Sequence, residues 1–598
     1  MEKRVVRIVI SNLDALFLRA AHNAVEGQNL AVSADDYKEC NYLFQTISKI
    51  ISALSPNAWI ALLHHTLDDK SNNASSEEHP EGTNVHSIIF NATLKVVGGQ
   101  RPSASHLNAE EVRLQRTSLS VMRQLLLGPG AEDLADSGVD TFLVEQLVLV
   151  LERGGSVAVQ GAIIDALLAA LKVRFAQAYL PPPPPRPKHQ RTNSRDHLTS
   201  PSLLSFTSDK ADKGHSAPAL PQPPQQLMEC LLKGISSPNS REILDKWILL
   251  LCEVLVPLYS SSIFHIILKL VECFCKEIKS SYESLQVAFK QTEIWPEDRA
   301  EHVTIALLTG LETCIGTAHD RLLVEESHPP VTKSPDASQG FFGNMVSGVF
   351  TSDANQTRTS AANNRLTVLL CFQDAVRLCF SIWSWGASER NGPPHDSESI
   401  ASFQYTSLRM RNRSRRILEH LFTAEALECL ETLVEMWIKS DAGNSSLIFD
   451  LLHTLDGSRP KIAIPAIFNA IYTRTNPHAL DPSRKSALAS NITENDLAAF
   501  MVTYARSLDD DVLDEIWADC TTFLRDVLSN PFPHRQILPR LVEFAAILGT
   551  KLENTNFGDN RRMRKELGVC LHLYGVILRL LTHSTGRIAA PSYRSVHE

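Results

Sequence analysis

Three consecutive stretches decide the fold: LTVLLCFQDAVRLCFSIWSWG at 366–386, RMRNRSRR at 409–416 and ILEHLFTAEALECLETLVEMWI at 417–438. In the first, Thr367, Asp374, Arg377, Ser381 and Ser384 are spaced 7, 3, 4 and 3 apart, so a helix gathers them into one narrow polar stripe. A helix wet along one stripe only needs other helices on its remaining sides. The third stretch carries Ile417, Leu418, Leu421, Phe422, Leu427, Leu430, Leu433, Val434, Trp437 and Ile438 at 3-to-4 spacing and reads as a second helix. Between them lies the most basic run of the chain, which reads as an elbow joining two buried helices. Buried helices flanking a charged joint describe the middle of a helical array that offers a surface to a partner.

The rest of the chain agrees. Helical segments of 10 to 20 residues alternate with turns bearing Pro and Gly, with no strand-like alternation. The expectation is an all-α fold, an irregular α-solenoid of HEAT or armadillo type interrupted by disordered loops, although no crisp repeat period is visible. At 598 residues the chain is too long for one compact core. The order expected is a helical region over 1–178, a Pro- and Ser-rich disordered linker over 179–224 and a second helical region over 225–322. A flexible loop with a Gly/Phe island follows over 323–364, then a helical array over 365–585 and a disordered tail over 586–598. Within the array, Thr493-Glu494-Asn495-Asp496 has the form of a capping box. Ser507-Leu508-Asp509-Asp510 repeats that signal, and Gly549 is expected to end the helix that begins near Ile537.

Composition narrows the function. A net charge of −9 argues against a general nucleic-acid binder, so an anionic partner has to meet a local basic patch. The 11 cysteines are scattered, mostly on apolar faces and without zinc-finger spacing, which reads as reduced buried thiols in a cytosolic protein. The longest apolar candidate for a membrane span, Trp247 to Tyr259, is about 13 residues against the ~20 needed and is interrupted by Glu253 and Pro257. The chain therefore reads as soluble, with any membrane association peripheral.

Catalytic patterns are missing from the sequence: there is no P-loop, dinucleotide fingerprint, zincin motif or nucleophile elbow. The chain reads as non-enzymatic, with no cofactor, metal or small-molecule substrate. Asp509, Asp510 and Asp511 sit at a helix start, where they complement the helix dipole more readily than they form a cation site. The functional candidates are surfaces. Arg409, Arg411, Arg413, Arg415 and Arg416 could neutralise acidic lipid headgroups, and Arg561, Arg562, Arg564 and Lys565 offer the same chemistry. The competing account of both clusters is a solvated, salt-bridged face. Phe341, Phe342, Met345, Val349 and Phe350 form an apolar island in a polar loop, to be docked on the array, inserted at a membrane surface or bound to a partner. Pro181, Pro184 and Arg186 lie in a polyproline stretch that either binds an SH3 domain or acts as a stiff spacer. Ser194, three residues after Arg191, is a candidate phosphosite of a commonly occurring pattern.

The stretches GNMVSGVF (343–350), LCFQDAVRLC (370–379), ILEHLF (417–422), LVEMW (433–437) and NFGDNRRMR (556–564) together resemble the central part of fungal Dopey proteins, over about 240–570. Dopey proteins are much longer, and their N-terminal helical domain is not recognised here, so the chain reads as an internal piece or a shortened form. The resemblance implies a peripheral membrane scaffold in endosome-to-Golgi transport and Golgi organisation. It also implies partnership with a large Sec7-related Golgi scaffold protein and, in fungi, a phospholipid flippase. A different class of reading is a soluble helical-repeat adaptor that binds signalling proteins through the proline-rich linker.

Overall fold

The computed structural model describes residues 34–64, 84–98, 109–178, 222–290, 299–327, 352–388, 397–440, 442–488, 491–555 and 559–586. Among these there is no β-strand, and the fold is an all-α irregular solenoid. The chain divides into two compact units, Met1–Ser261 and Ser262–Glu598.

The first unit contains α1 (Ala34–Ser52), α2 (Pro56–His64), α3 (Val85–Gly98), α4 (Ala109–Leu127), α5 (Val139–Glu152), α6 (Val157–Ala178), α7 (Leu227–Ser236) and α8 (Leu244–Tyr259). Helix α4 packs on α1, α3 and α6, and α6 packs on α5 and α8. Turn chemistry follows the sequence. Pro56 opens α2, where its missing N–H costs nothing, and Gly130, Gly138 and Gly154 adopt positive φ (79°, 68° and 63°) at the breaks around α5. Gly234 of α7 allows a close approach: a Cβ there would lie 2.5 Å from the ring of Trp247, a fully buried residue of α8.

The second unit contains α9 (Ile263–Lys290), α10 (Arg299–Ser327), α11 (Ser352–Ser388), α12 (Ser397–Ala424), α13 (Ala426–Lys439), α14 (Ala442–Thr454) and α15 (Pro460–Thr475). It continues with α16 (Glu494–Ser507), α17 (Leu513–Ser529), α18 (Leu538–Asn554) and α19 (Asn560–Gly586). Odd-numbered helices pack on the next odd one, α9 on α11, then α13, α15, α17 and α19, while α10 packs on α12 and α16 on α18. Contacts to the next helix and the one after it are the signature of stacked helical pairs. Aromatic rings fill the joints: Phe468 stacks on Phe523 at 4.0 Å, and Phe449, Phe500 and Tyr504 cluster below Trp437.

Helix α11 carries its polar stripe outward, as its spacing requires. Asp374 and Ser381 are exposed, while Val368, Phe372, Ala375, Cys379 and Trp383 are buried. Its segment Ser360–Trp385 is the one described helix long and apolar enough to cross a membrane, and about half of it is buried against neighbouring helices. The best candidate span in the sequence reading was instead Trp247–Tyr259. That stretch is the body of α8, with Pro257 accommodated in the last turn.

Three local expectations are corrected. The basic run is no elbow but the centre of the continuous helix α12, which contains neither Gly nor Pro and is rich in good helix formers. The break falls instead at Glu425 (φ −143°, ψ 70°), which splits the helix expected over 417–438 into the end of α12 and α13. No breaker residue marks that site, and the Glu425 carboxylate is held by Arg365 at 3.0 Å, a tertiary demand outweighing local propensity. Gly549 does not end α18, which runs on to Asn554. Thr493 and Asp496 do form a reciprocal capping box on α16, but Ser507–Asp510 does not. Ser507 donates back to the Tyr504 carbonyl, and Asp510 accepts from Lys551 (2.9 Å) and Asn554 (3.0 Å).

Candidate functional site

The first basic cluster is drawn into the second unit's own packing. Arg409 pairs with Glu301 of α10 at 3.0 Å, and Arg413 pairs with Glu312 and donates to Thr309 at 3.1 Å. The guanidinium of Arg411 lies 4.5 Å over the ring of Trp383, and Arg415 donates to the Thr454 carbonyl at 3.3 Å. Arg416 is exposed. Four of the five arginines thus hold α12 against α10, α11 and α14.

A separate ladder of carboxylates, absent from the sequence reading, begins at the Glu425 break and continues along α13. Glu425 caps α13, and Glu428, Glu431 and Glu435, spaced 3 and 4, lie along one side of the helix. Glu425 accepts two hydrogen bonds from Arg365 (3.0 and 3.1 Å) and lies 3.5 Å from His319. Glu431, 1% exposed, takes a two-pronged contact from Arg474 (2.8 and 3.1 Å) and a hydrogen bond from the Ser486 hydroxyl at 3.0 Å. Glu435 accepts from Lys439 (2.6 Å) and Arg377 (2.8 Å), and these two hydrogen bonds hold it below the usual carboxylate range.

Glu428 differs from the others. It is 1% exposed and accepts the Ala487 N–H at 2.9 Å through Oε1, while its Oε2 is buried without a hydrogen-bond partner. Burial pushes its carboxyl up to about 7, against the opposing pull of the Ala487 hydrogen bond. The ladder as a whole ties α10, α11, α15 and the 476–488 connection to one helix. The signal was readable: acids recurring every three or four positions in a helix whose other positions are mostly apolar.

The second cluster opens α19. Arg561, Arg562, Arg564 and Lys565 are exposed, while Met563 between them is buried. Arg562 pairs with Asp559 (3.2 Å) and more loosely with Glu566 (3.8 Å). Arg561 and Arg562 lie in the first turn, where cations meet the positive end of the helix dipole, so helix stability does not account for that pair. The island residues Phe341, Phe342, Met345, Val349 and Phe350, the polyproline residues Pro181, Pro184 and Arg186, and Ser194 lie outside the described residues. Among the described residues no group of His, Cys, Asp and Glu is arranged to hold a metal. The cysteines are all free thiols, and burial pushes those of Cys275 and Cys371 up to about 12.

Comparison with known proteins adds a lineage to this architecture. The model of the family domain described as DOP1 C-terminal matches residues 500–586. The Emericella nidulans "Protein dop1" is 66% identical over 582 residues, which are 97% of this chain and 31% of that protein. The Saccharomyces cerevisiae "Protein DOP1" is 27% identical over 356 residues, 57% of this chain and 20% of that protein. The likeness therefore extends past Gly568 and well before residue 240. Among solved structures, a circular tandem repeat protein aligns with 97% of this chain and 99% of its own at 11% identity and a TM-score of 0.21. The karyopherin Kap121p bound to Ulp1p aligns with 90% of this chain and 53% of its own at 11% identity and a TM-score of 0.20. Scores this low say nothing of function. This chain, which spans about a third of the length of the Emericella nidulans protein, belongs to the Dopey family.

Proposed function

We propose that this chain is part of a non-enzymatic scaffold in endosome-to-Golgi vesicle-mediated transport and Golgi organisation. It acts on the cytoplasmic face of Golgi and endosome membranes as a peripheral protein, brought there by a large Sec7-related Golgi scaffold protein, with a phospholipid flippase as a further partner. The observation that carries this reading is the 66% identity to a Dopey protein along nearly the whole chain. The fold supports it: the charged side chains at the helix joints of the second unit are spent on one another, as in a frame and not in a reaction centre. Acidic lipids enter through the exposed Arg561, Arg564 and Lys565 near the start of α19, with Arg561 also unfavourable to its own helix and Arg416 a weaker contributor.

The test is affinity capture of the tagged chain from a fungal lysate, with and without mild detergent, alongside flotation with phosphatidylserine vesicles. Recovery of a Sec7-related scaffold or a flippase is expected, together with salt-sensitive flotation that weakens in an Arg561→Glu/Arg564→Glu variant. Recovery of SH3-bearing signalling proteins alone would refute the scaffold reading. Flotation indifferent to salt and to both substitutions would refute the lipid contact.

A further inference from the structure

A cleft of about 480 Å³ opens on the first unit, between α4, α6 and α8. Its floor is Ala158 and Ala162 of α6, and its walls bring Arg113, Arg116, Ser120 and Arg123 of α4 to face Lys246 of α8. The walls are fixed. Helix α4 is bound to α1 by Ser48–Gln124 hydrogen bonds (3.0 and 3.2 Å) and by Thr117 donating to Asn41 at 2.8 Å. Lys246 lies across the floor, bonded to Asp165 at 2.6 Å and to the Gly161 carbonyl at 3.4 Å. Arg113 is paired with Glu110 at 3.3 Å. Arg116 and Arg123, by contrast, are exposed, and neither is in an ion pair among the described residues.

We propose that this cleft is a docking site for a carboxylate-rich peptide segment of a partner protein. The lining chooses the ligand. With Lys246 on Asp165 and Arg113 on Glu110, Arg116 and Arg123 are left in excess, so the potential at the cleft favours an anion although the whole chain carries a net charge of −9. Three of the four cations are arginines, whose planar guanidinium matches a carboxylate with two parallel hydrogen bonds. The lining holds no aromatic ring on which bases could stack, which disfavours a nucleic-acid strand. The small side chains of Ala158 and Ala162 leave room between α4 and α8 for an extended side chain. Ser120 adds a hydroxyl group for the peptide backbone.

The probe is fluorescein-labelled hexaglutamate, with hexaglutamine as its neutral counterpart, followed by fluorescence anisotropy on the full chain. Binding of the acidic peptide alone is expected, weakening at least tenfold as ionic strength rises from about 0.05 to about 0.3 M and the screening length shortens. Arg116→Glu/Arg123→Glu should weaken binding more than tenfold, with helical content unchanged by circular dichroism. Ala162→Leu fills the floor without altering charge and should weaken it at least threefold. Equal binding by wild type and the double arginine variant would overturn the proposal. So would an unchanged affinity in Ala162→Leu, which would reduce the effect to surface attraction. Retention of phosphatidylserine vesicles or single-stranded RNA by these same arginines, with no peptide binding, would also overturn it.

Discussion

The buried carboxyl of Glu428 makes stability depend on pH in a direction opposite to that of most acids in a folded protein. Its ordinary value is 4.5, and in the fold burial pushes it up to about 7. The folded chain therefore binds a proton more tightly than the unfolded one. Stability from this group is complete below pH 4.5 and is lost as pH rises through about 7. At ~1.36 kcal/mol for each tenfold change in proton affinity, the loss is about 3 kcal/mol. Glu428→Gln keeps an acceptor for the Ala487 N–H, nearly preserves volume and cannot ionise. The carboxylates of Glu425 and Glu431 and the cations of Arg365 and Arg474 are present in both proteins, so the difference between variant and wild type isolates the one proton. The assay is amide exchange at Ala487 and along α13, with thermal unfolding in parallel, between pH 5 and 8.5. The variant should gain on wild type as pH rises, level off above about pH 7 and end about 3 kcal/mol more stable there. Parallel curves for the two proteins across that range would refute the reasoning.

Other perturbations test the packing around this ladder and in the first unit. Arg474→Met strands the carboxylate of Glu431 in a site 1% exposed and should cost about 3–5 kcal/mol, whereas Arg474→Met with Glu431→Gln should recover most of it, both read by denaturant unfolding. Gly234→Ala drives a Cβ to 2.5 Å from the Trp247 ring and should cost about 1–3 kcal/mol, visible as a lowered unfolding midpoint and altered tryptophan fluorescence.

Most of what rested on periodicity was legible in the sequence, the break at Glu425 within the helix expected over 417–438 excepted. The outward polar stripe of α11, the break at Gly154, the capping box at Thr493 and the sequence of helices follow from residue spacing and from Gly and Pro chemistry. Features decided by distant partners were not legible. Residues 409–416 looked like an exposed joint because charge density in a sequence reads as solvent exposure. Their carboxylate partners, Glu301 and Glu312, lie about a hundred residues away on α10. Asp510 looked like part of a helix cap for the same reason, and its partner Lys551 belongs to α18. The basic cleft of the first unit escaped notice because its cations are spread along α4 and α8, with no dense run to mark them.

The same physics explains why a stacked array of helical pairs shows no repeat period. A repeat is visible when each joint is closed by the same residues at the same positions. Here the joints of the second unit are closed by different residues at different positions. Arg365 and Arg377 join α11 to the acids of α13, Arg474 joins α15 to Glu431, Lys551 joins α18 to the approach of α17, and the stack of Phe468 on Phe523 joins α15 to α17. Buried ion pairs such as Glu431–Arg474 gain little over an apolar pair of similar volume, because desolvation offsets their attraction. A misplaced helix, however, would leave one of these charges buried and alone, at a cost of about 3–5 kcal/mol. Apolar ridges alone would tolerate a slip of one turn between neighbouring helices. Individual polar joints do not, so they fix the register of the array while erasing the regularity that would have announced it.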